Sequence, residues 1–332
     1  MEINKIYNMD CLEGLRLLPD ESINVCVTSP PYFCLRDYGV EGQIGLEETP
    51  EEYIERLVQV FREVRRVLKP DGTLWVNIGD SYATRSGPQP PTNTWNRHGH
   101  TQKKVPPNYK AKDLMGIPWL LAFALRADGW YLRQDLIWHK PNCMPESVKD
   151  RPTKAHEYIF LLSKSKKYYY DAEAVKEPAV GFYNAPPAGS LGTPQPNARR
   201  RGNSKTFRGG SAYTHDQSKN NSFSVERESS GLVPNETGKR NKRSVWTVAT
   251  RPFKGAHFAT FPEQLVEPCI LAGCPAGGIA LDPFMGSGTT AVVAIRNERD
   301  FIGFELSPEY CEIAAERVTA AQNEPKQLKI EL

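Results

Sequence analysis

Thr28-Ser29-Pro30-Pro31-Tyr32 follows directly on the apolar run Ile23-Asn24-Val25-Cys26-Val27. A β-rich apolar run that stops at two prolines reads as a buried strand ending in a rigid loop, because proline fixes φ and offers no N–H to a ladder. The loop therefore sits at the carboxyl end of a strand, the edge at which open α/β sheets bind ligands. Alone, Pro-Pro-Tyr is an ordinary turn closed by a packed tyrosine. A second stretch, Leu281-Asp282-Pro283-Phe284-Met285-Gly286-Ser287-Gly288-Thr289-Thr290, changes that reading. Its glycines lie between a strand pattern and a helix pattern, permit positive φ, and let a ligand approach the backbone closely. No Gly-Lys-Ser/Thr follows, so it is not a P-loop, and it lacks the third glycine of the dinucleotide fingerprint. Glu305 ends the next strand pattern, 23 residues after Asp282, close to the ~20-residue spacing at which an acidic residue holds ribose hydroxyls. The competing reading is a tight turn with Glu305 capping the last helix.

The rest of the chain supplies the elements of such a sheet. A strand pattern over 3–9 gives way to Leu12, Leu15 and Leu18 at helical spacing, which places Asp10 where aspartate is a good N-cap. Thr49-Pro50-Glu51-Glu52 predicts a capping box, and Tyr53, Ile54, Leu57, Val60, Phe61, Val64, Val67 and Leu68 then mark one buried helix face. This helix closes at Lys69-Pro70-Asp71-Gly72, and a strand follows over 73–78. Helix, Pro-Gly turn and strand make the βαβ rhythm of a parallel sheet. Further patterns predict helices over 113–127, 263–271, 289–296 and 308–321, and strands over 130–139, 157–163, 168–171, 244–248, 278–283 and 301–306. Residues 84–112 and 173–255 have no sustained periodicity and read as a long loop and an irregular insert.

The chain has 332 residues and a net charge of +3, unevenly placed. Residues 173–255 hold 14 Lys and Arg against 6 Asp and Glu, a local balance of +8 that leaves −5 for the remainder. A basic block in an acidic scaffold points to a polyanion partner, and a solvated insert also fits its composition. No apolar run approaches the ~20 residues that span a bilayer. The N-terminus lacks a basic flank followed by an apolar stretch, so a cytoplasmic protein without membrane contact is expected. Seven cysteines without CxxC pairing fit reduced thiols. His98 and His100 have no carboxylate or cysteine at ligand spacing, so no metal site is expected.

Together the two loops resemble the amino-methyltransferases of DNA, which carry a [DNS]-PP-[YFW] catalytic loop and an F-x-G-x-G loop for S-adenosylmethionine. Catalytic loop first and cofactor loop near the C-terminus is the order of the permuted β-class of that family. The run from His156 to Leu162, with Tyr168 to Asp171, also resembles the strands that close its catalytic half. The resemblance implies an α/β, Rossmann-like methyltransferase fold with a mostly parallel, circularly permuted sheet. One domain would be built from a catalytic segment, 1–172, and a cofactor-binding segment, 256–332, around a target-recognition region over 173–255. Ser29, Pro30, Pro31 and Tyr32 would be catalytic. S-adenosylmethionine would be held by Asp282, Phe284, Gly286, Ser287, Gly288, Thr289 and Glu305, with Asp10 on the adenine and Phe258, Thr260 and Phe261 at the methionine end. Arg199, Arg200, Arg201, Arg208, Lys239, Arg240, Lys242 and Arg243 are candidates for contacts to double-stranded DNA. A cognate restriction endonuclease, and the choice between monomer and homodimer, stay open.

An exocyclic base amine is a poor nucleophile because its lone pair is delocalised into the ring. Acceptors aimed at its hydrogens help the nitrogen become tetrahedral and turn that lone pair toward the methyl group. The Ser29 hydroxyl and the Pro30 carbonyl suit this role, Tyr32 offers a stacking face, and the base must be flipped from the duplex to reach them. Serine at position 29, where adenine enzymes of the family usually carry aspartate, favours cytosine N4 over adenine N6. A hydroxyl can also donate to the ring nitrogen beside the amine. Methylation of a ring carbon would need a nucleophilic cysteine on a loop, whereas Cys269 falls in a helix pattern and reads as core. Protein glutamine methylation can use an Asn-Pro-Pro-Tyr loop but leaves the basic insert unexplained. A non-catalytic DNA-binding module would be free to lose Ser29, Tyr32 or the glycines, and RNA methylation remains compatible with the insert.

Overall fold

The computed structural model describes residues 1–83, 105–179, 238–250 and 262–324. In chain order the elements are β1 (Lys5–Asn8), α1 (Cys11–Arg16), β2 (Ile23–Thr28), α2 (Pro50–Val67), β3 (Leu68–Ile78), α3 (Ile117–Ala127), β4 (Tyr131–His139) and β5 (His156–Ser163). They continue with β6 (Glu177–Pro178), β7 (Lys239–Arg240), β8 (Val245–Thr247), α4 (Glu263–Gly273), β9 (Ile279–Asp282), α5 (Thr289–Arg296), β10 (Asp300–Glu305) and α6 (Pro308–Asn323). Eight strands form one sheet in the order β1-β10-β9-β2-β3-β5-β4-β8. All neighbours in it are parallel except β5, which runs antiparallel to both β3 and β4.

Side chains alternate across a strand, so a sheet covered on both faces needs two cores. On one face Leu74, Val76, Phe160 and Leu162 pack with the inward stripes of α1, α2 and α3. On the other, Val25, Trp75, Ile159 and Leu161 pack with α4, α5 and α6. Leu57, Val60, Phe61 and Val64 of α2 are fully buried, and such side chains contribute about 1.5–3 kcal/mol each. The capping box forms as predicted, with the Thr49 hydroxyl accepting from the Glu52 amide and the Glu52 carboxylate accepting from the Thr49 amide, both at 3.2 Å.

Three element predictions need correction. The helix expected over 113–127 begins only at Ile117, because the backbone of Asp113 and Met115 is bonded to Ala83 and Ser81 instead. Residues 168–171 are not a strand: the amides of Tyr169 and Asp171 make single bonds, to the Asp71 carbonyl in the excursion of β3 and to the Ala272 carbonyl of α4, and no ladder forms. The turn Lys69-Pro70-Asp71-Gly72 is an excursion within β3, since Leu68 already pairs with Ile23 before Thr73 pairs with Val25.

The main compact unit is Met1–Val175 with Lys242–Leu332, so β8 belongs to its sheet although it lies within 173–255. The second unit, Lys176–Asn241, contains the short antiparallel ribbon of β6 and β7. None of the described helices is long and apolar enough to cross a membrane.

The sheet's layout brings the two sequence signals together. β2 pairs directly with β9, Val25 against Ala280 and Cys26 against Leu281. From this pair the crossovers diverge: α2 carries the chain to β3 on one side, and α5 carries it to β10 on the other. Such a divergence opens a crevice at the strands' carboxyl ends, where ligands bind.

Candidate active site

Thr28 ends β2 and Asp282 ends β9, and their side chains meet across 254 positions of sequence. The Thr28 hydroxyl donates to Asp282 Oδ1, the Thr290 hydroxyl donates to Oδ2 at 2.7 Å, and the Phe284 amide donates to Oδ1 at 3.0 Å. Asp282 is completely buried. Burial raises its carboxyl to about 7, against the opposing pull of these three donors. Asp282 is therefore not on the cavity wall as the sequence reading expects; it sews the catalytic loop to the cofactor loop from behind. Gly288 is likewise set back. It caps α5 at φ 82°, and a Cβ there would lie 2.9 Å from Ala314 Cβ on α6.

In front of this seam lies a cavity of about 310 Å³. Its walls include Ser29, Pro30, Pro31, Tyr32, Asp10, Phe284, Gly286, Ser287, Thr289 and Glu305, which is most of the predicted site. The cofactor half is organised by backbone. Gly286 has φ 52°, and its amide donates to Glu305 Oε2 at 2.8 Å, while the Ser307 amide donates to Oε1 at 2.8 Å. A Cβ on Gly286 would meet nothing nearer than 3.9 Å, so the loop leaves open space beside its backbone. Burial pushes the Glu305 carboxyl above its ordinary range, against the backbone amides that hold it. Asp10 caps α1, Oδ1 accepting from the Leu12 and Glu13 amides at 2.8 and 3.1 Å, and also lines the cavity. Two carboxylates, an open glycine loop and apolar walls that include Phe284, Tyr310 and Ile313 fit S-adenosylmethionine, whose ribose hydroxyls and adenine amine need acceptors. Phe258, Thr260 and Phe261 lie outside the described residues.

Sequence reasoning missed Arg317. From α6 its guanidinium donates to the Ser287 carbonyl at 2.6 Å, the Ser287 hydroxyl at 3.0 Å and the Thr289 hydroxyl at 3.2 Å, and it pairs with Glu263 at 3.0 Å. Burial lowers its pKa despite that partner. Only helix packing reveals it, since nothing local marks the single arginine of α6 as facing the loop rather than solvent.

The half of the cavity proposed for the base is made of side chains from the loop after β2, from β3 and β5, and from the end of β4. Tyr53 of α2 donates its hydroxyl to the Pro31 carbonyl at 2.7 Å, which ties the Pro-Pro loop to that helix. The Tyr32 ring lies against Gly79, where a Cβ would come within 2.6 Å of Cε2. Its hydroxyl is 2.7 Å from Glu157 Oε2 and 3.3 Å from Asn77 Oδ1, and a single proton goes to the nearer carboxylate. Burial and then Glu157 push this phenol far above its usual pKa. Asn77 is fixed in orientation because Nδ2 faces acceptors, the Tyr158 carbonyl at 3.1 Å and Glu157 Oε2 at 3.5 Å. Its Oδ1 therefore accepts, and the Ser29 hydroxyl donates to it at 3.3 Å. The Ser29 hydroxyl thus lies within reach of both Asn77 and Tyr32 on the cavity wall. Glu157 Oε1 pairs with Lys140, whose ammonium sits 4.1 Å from the Trp138 ring centroid. Asn77, Trp138, Lys140 and Glu157 all line the cavity. No local pattern pointed to them beyond their places near strand ends.

Cys269 is buried in α4, its thiol donating to the Leu265 carbonyl, and burial pushes its pKa up, as a core residue requires. Of the basic candidates, Arg240 pairs with Glu177 at 2.9 Å, Lys242 lies 5.0 Å over the Trp246 ring, and the Arg243 carbonyl accepts from Trp246 Nε1. Lys239 stands on β7, and Arg199, Arg200, Arg201 and Arg208 lie outside the described residues.

The DNA methylase family model matches residues 23–316. Type II methyltransferase M.Cfr9I of Citrobacter freundii is 45% identical over 322 residues, which cover 96% of this chain and 89% of that protein. Among solved structures, PvuII DNA methyltransferase (cytosine-N4-specific) has a TM-score of 0.60 at 20% identity, covering 96% of this chain and 90% of its own. A modification methylase of Thermus thermophilus, TTHA0409, complexed with S-adenosyl-L-methionine, has a TM-score of 0.57 at 22% identity, covering 97% and 95%.

Proposed function

Because this chain belongs to the DNA methylase family of N6- and N4-amino-methyltransferases, we propose that it modifies cytosine at N4 in double-stranded DNA. S-adenosylmethionine, when bound, supplies an electrophilic methyl group on a sulfonium. The residues of this chain act on the other reactant. The Ser29 oxygen and the Pro30 carbonyl accept from the amine hydrogens and draw the lone pair out of the ring. Tyr32 stacks on the flipped base. The amine lone pair forms the new N–C bond, the S–C pair stays with sulfur, and the nitrogen's proton leaves through the acceptor side to water. Methylated nitrogen is strongly acidic, so neither a strong base nor a covalent adduct is needed.

The observation that carries the choice of base is a neutral hydroxyl at position 29, on the cavity wall, which can donate as well as accept. A carboxylate there would suit an adenine enzyme of the family better. Nucleoside mass spectrometry of DNA methylated by the pure enzyme tests this: 4-methylcytosine is expected, and 6-methyladenine as the product overturns the choice of base. We further propose that residues 173–255 form the target-recognition region. Neutralising Lys239, Lys242 and Arg243 together with Arg199, Arg200, Arg201 and Arg208 is then expected to flatten the salt dependence of DNA binding, because fewer counterions are released. An unchanged slope would make this region a solvated insert.

A further inference from the structure

Between the prolines of the catalytic loop and α2 the chain makes a compact loop, 33–47, whose ends close where the Cys34 amide donates to the Gly45 carbonyl at 2.8 Å. Phe33 and Ile44 root it in the core. Gln43 holds its shape. It is buried, and its side-chain amide does for the loop what a neighbouring strand does elsewhere: Oε1 accepts from the Tyr38 amide at 2.7 Å, and Nε2 donates to the Arg36 carbonyl at 2.9 Å. Arg56 of α2 ties the same stretch down, donating to the Gly42 and Gln43 carbonyls at 2.9 and 3.3 Å. What this scaffold carries into the cavity is Tyr38. Its ring meets Tyr310 of α6 edge to face, with centroids 6.1 Å apart and planes at 81°, and both rings line the cavity. Burial raises both phenols, and the charge of Glu305 adds to it for each, which puts the pair at the Glu305 end. Tyr38 thus reaches from the catalytic loop's side of the cavity to the cofactor's side.

Resting on the placement of the cofactor's ribose at Glu305, we infer that Tyr38 is a further cofactor-binding residue. With Tyr310 it forms an apolar corner that receives the adenosine end of S-adenosylmethionine, and Gln43 is a positioning residue that acts through it. Glu305 and Asp10 supply acceptors, which orient polar groups but leave the flat face of the adenine to be covered. Two perpendicular rings suit that task, because a planar heterocycle in their corner lies on the face of one and against the edge of the other. A tyrosine ring covers such a face at low entropic cost, since it turns about only two side-chain bonds. The loop that follows the catalytic prolines then serves the cofactor, and its shape is set by one buried amide rather than by a strand.

The test is calorimetric titration of the full chain with S-adenosylmethionine and with S-adenosylhomocysteine, which has the same adenosine and lacks the methyl group and its charge. Tyr38→Ala is expected to weaken both ligands equally, by roughly 10- to 100-fold, the order of a lost base–aromatic stack. Tyr38→Phe keeps the ring and is expected to stay within about threefold of wild type. Gln43→Met is expected to weaken both by roughly 2- to 10-fold on its own, and to add nothing in the Tyr38→Ala background, because residues that act through a shared contact are not additive. Wild-type affinity in Tyr38→Ala, with weak binding in Glu305→Ala, would overturn this inference and leave the ribose placement standing. Wild-type affinity in both would overturn both. A loss confined to S-adenosylmethionine would put the ring at the sulfonium and overturn the adenosine assignment, as would equal losses in Tyr38→Phe and Tyr38→Ala, which would make the hydroxyl the contact. Additive losses from Gln43→Met would overturn its positioning role.

Discussion

The two halves of the cavity are built in opposite ways. The cofactor half is a local structure. A glycine loop and the two strands beside it set its shape, backbone amides hold Glu305, and Asp282 and Arg317 fix the loop from behind. The half proposed for the base has almost no local structure, since its groups come from the loop after β2, from β3 and β5, and from the end of β4, and touch one another through side chains. Rigid backbone cradles suit an invariant ligand. A pocket that must accept one base and refuse another needs side chains, whose donors and acceptors can be exchanged without disturbing the sheet. The difference implies that substitutions in one half should act on affinity for S-adenosylmethionine, and in the other on turnover and choice of base.

The sharpest break in this comparison would come from Ser29→Ala. Loss of an acceptor aimed at the reacting amine is expected to lower kcat by roughly 100- to 1000-fold, by analogy with removal of a transition-state hydrogen-bonding group. Cofactor affinity measured by calorimetry should stay within about twofold of wild type, since sites without shared partners act independently. A matching loss of cofactor affinity would show that the two halves are not separable.

Glu305→Ala tests the other half. It removes the carboxylate proposed for ribose and strands the Gly286 and Ser307 amides, so S-adenosylmethionine should bind roughly 100-fold more weakly, hydrogen bonds to charged groups being worth about 1.5–3 kcal/mol. Equal calorimetric affinity in Glu305→Ala and Ser29→Ala would remove the cofactor assignment.

Arg317→Met should weaken cofactor binding less, by about tenfold, because it loosens the loop without touching the ligand. Turnover at saturating cofactor should survive. Arg317→Lys, a point charge in place of a planar fork, should fall between the two; if it matches Arg317→Met in titrations, the arginine's geometry is not what positions the loop.

The smallest effect belongs to Asp282. Its folded-state carboxyl is raised to about 7 by burial, above an unfolded value of ~3.9. Folding therefore favours its neutral form, and the stability it contributes is complete below about pH 4 and lost as the pH rises through about 7. Thermal melts at pH 5 and pH 8 should show this decline in the wild type. Asp282→Asn, which does not titrate, should show less of it, with cofactor affinity nearly unchanged. Parallel melting curves for the two proteins would mean the seam is not pH-linked.

The sequence by itself determined the alternation of elements, the two loops and the carboxylates that belong to them, because each depends on short-range patterns. Proline stops β2, glycines shape the loop after β9, and a capping box starts α2. Local pattern also misled where distant backbone competed: residues 113–115 bond to 81–83 instead of extending α3, and 168–171 make single bonds to β3 and α4 rather than a ladder. What only the tertiary structure decided is how the signals meet and which way the protons point. Thr28 reaches Asp282 because β2 lies beside β9. Ser29 finds an acceptor in Asn77 because that amide, across on β3, is turned by a carbonyl of β5. Lys140 and Glu157 join because β4 pairs with β5, His139 opposite His156 and Trp138 opposite Glu157. A hydroxyl or an amide carries both a donor and an acceptor, so its role is fixed by its neighbours in space, and sequence spacing does not encode those neighbours.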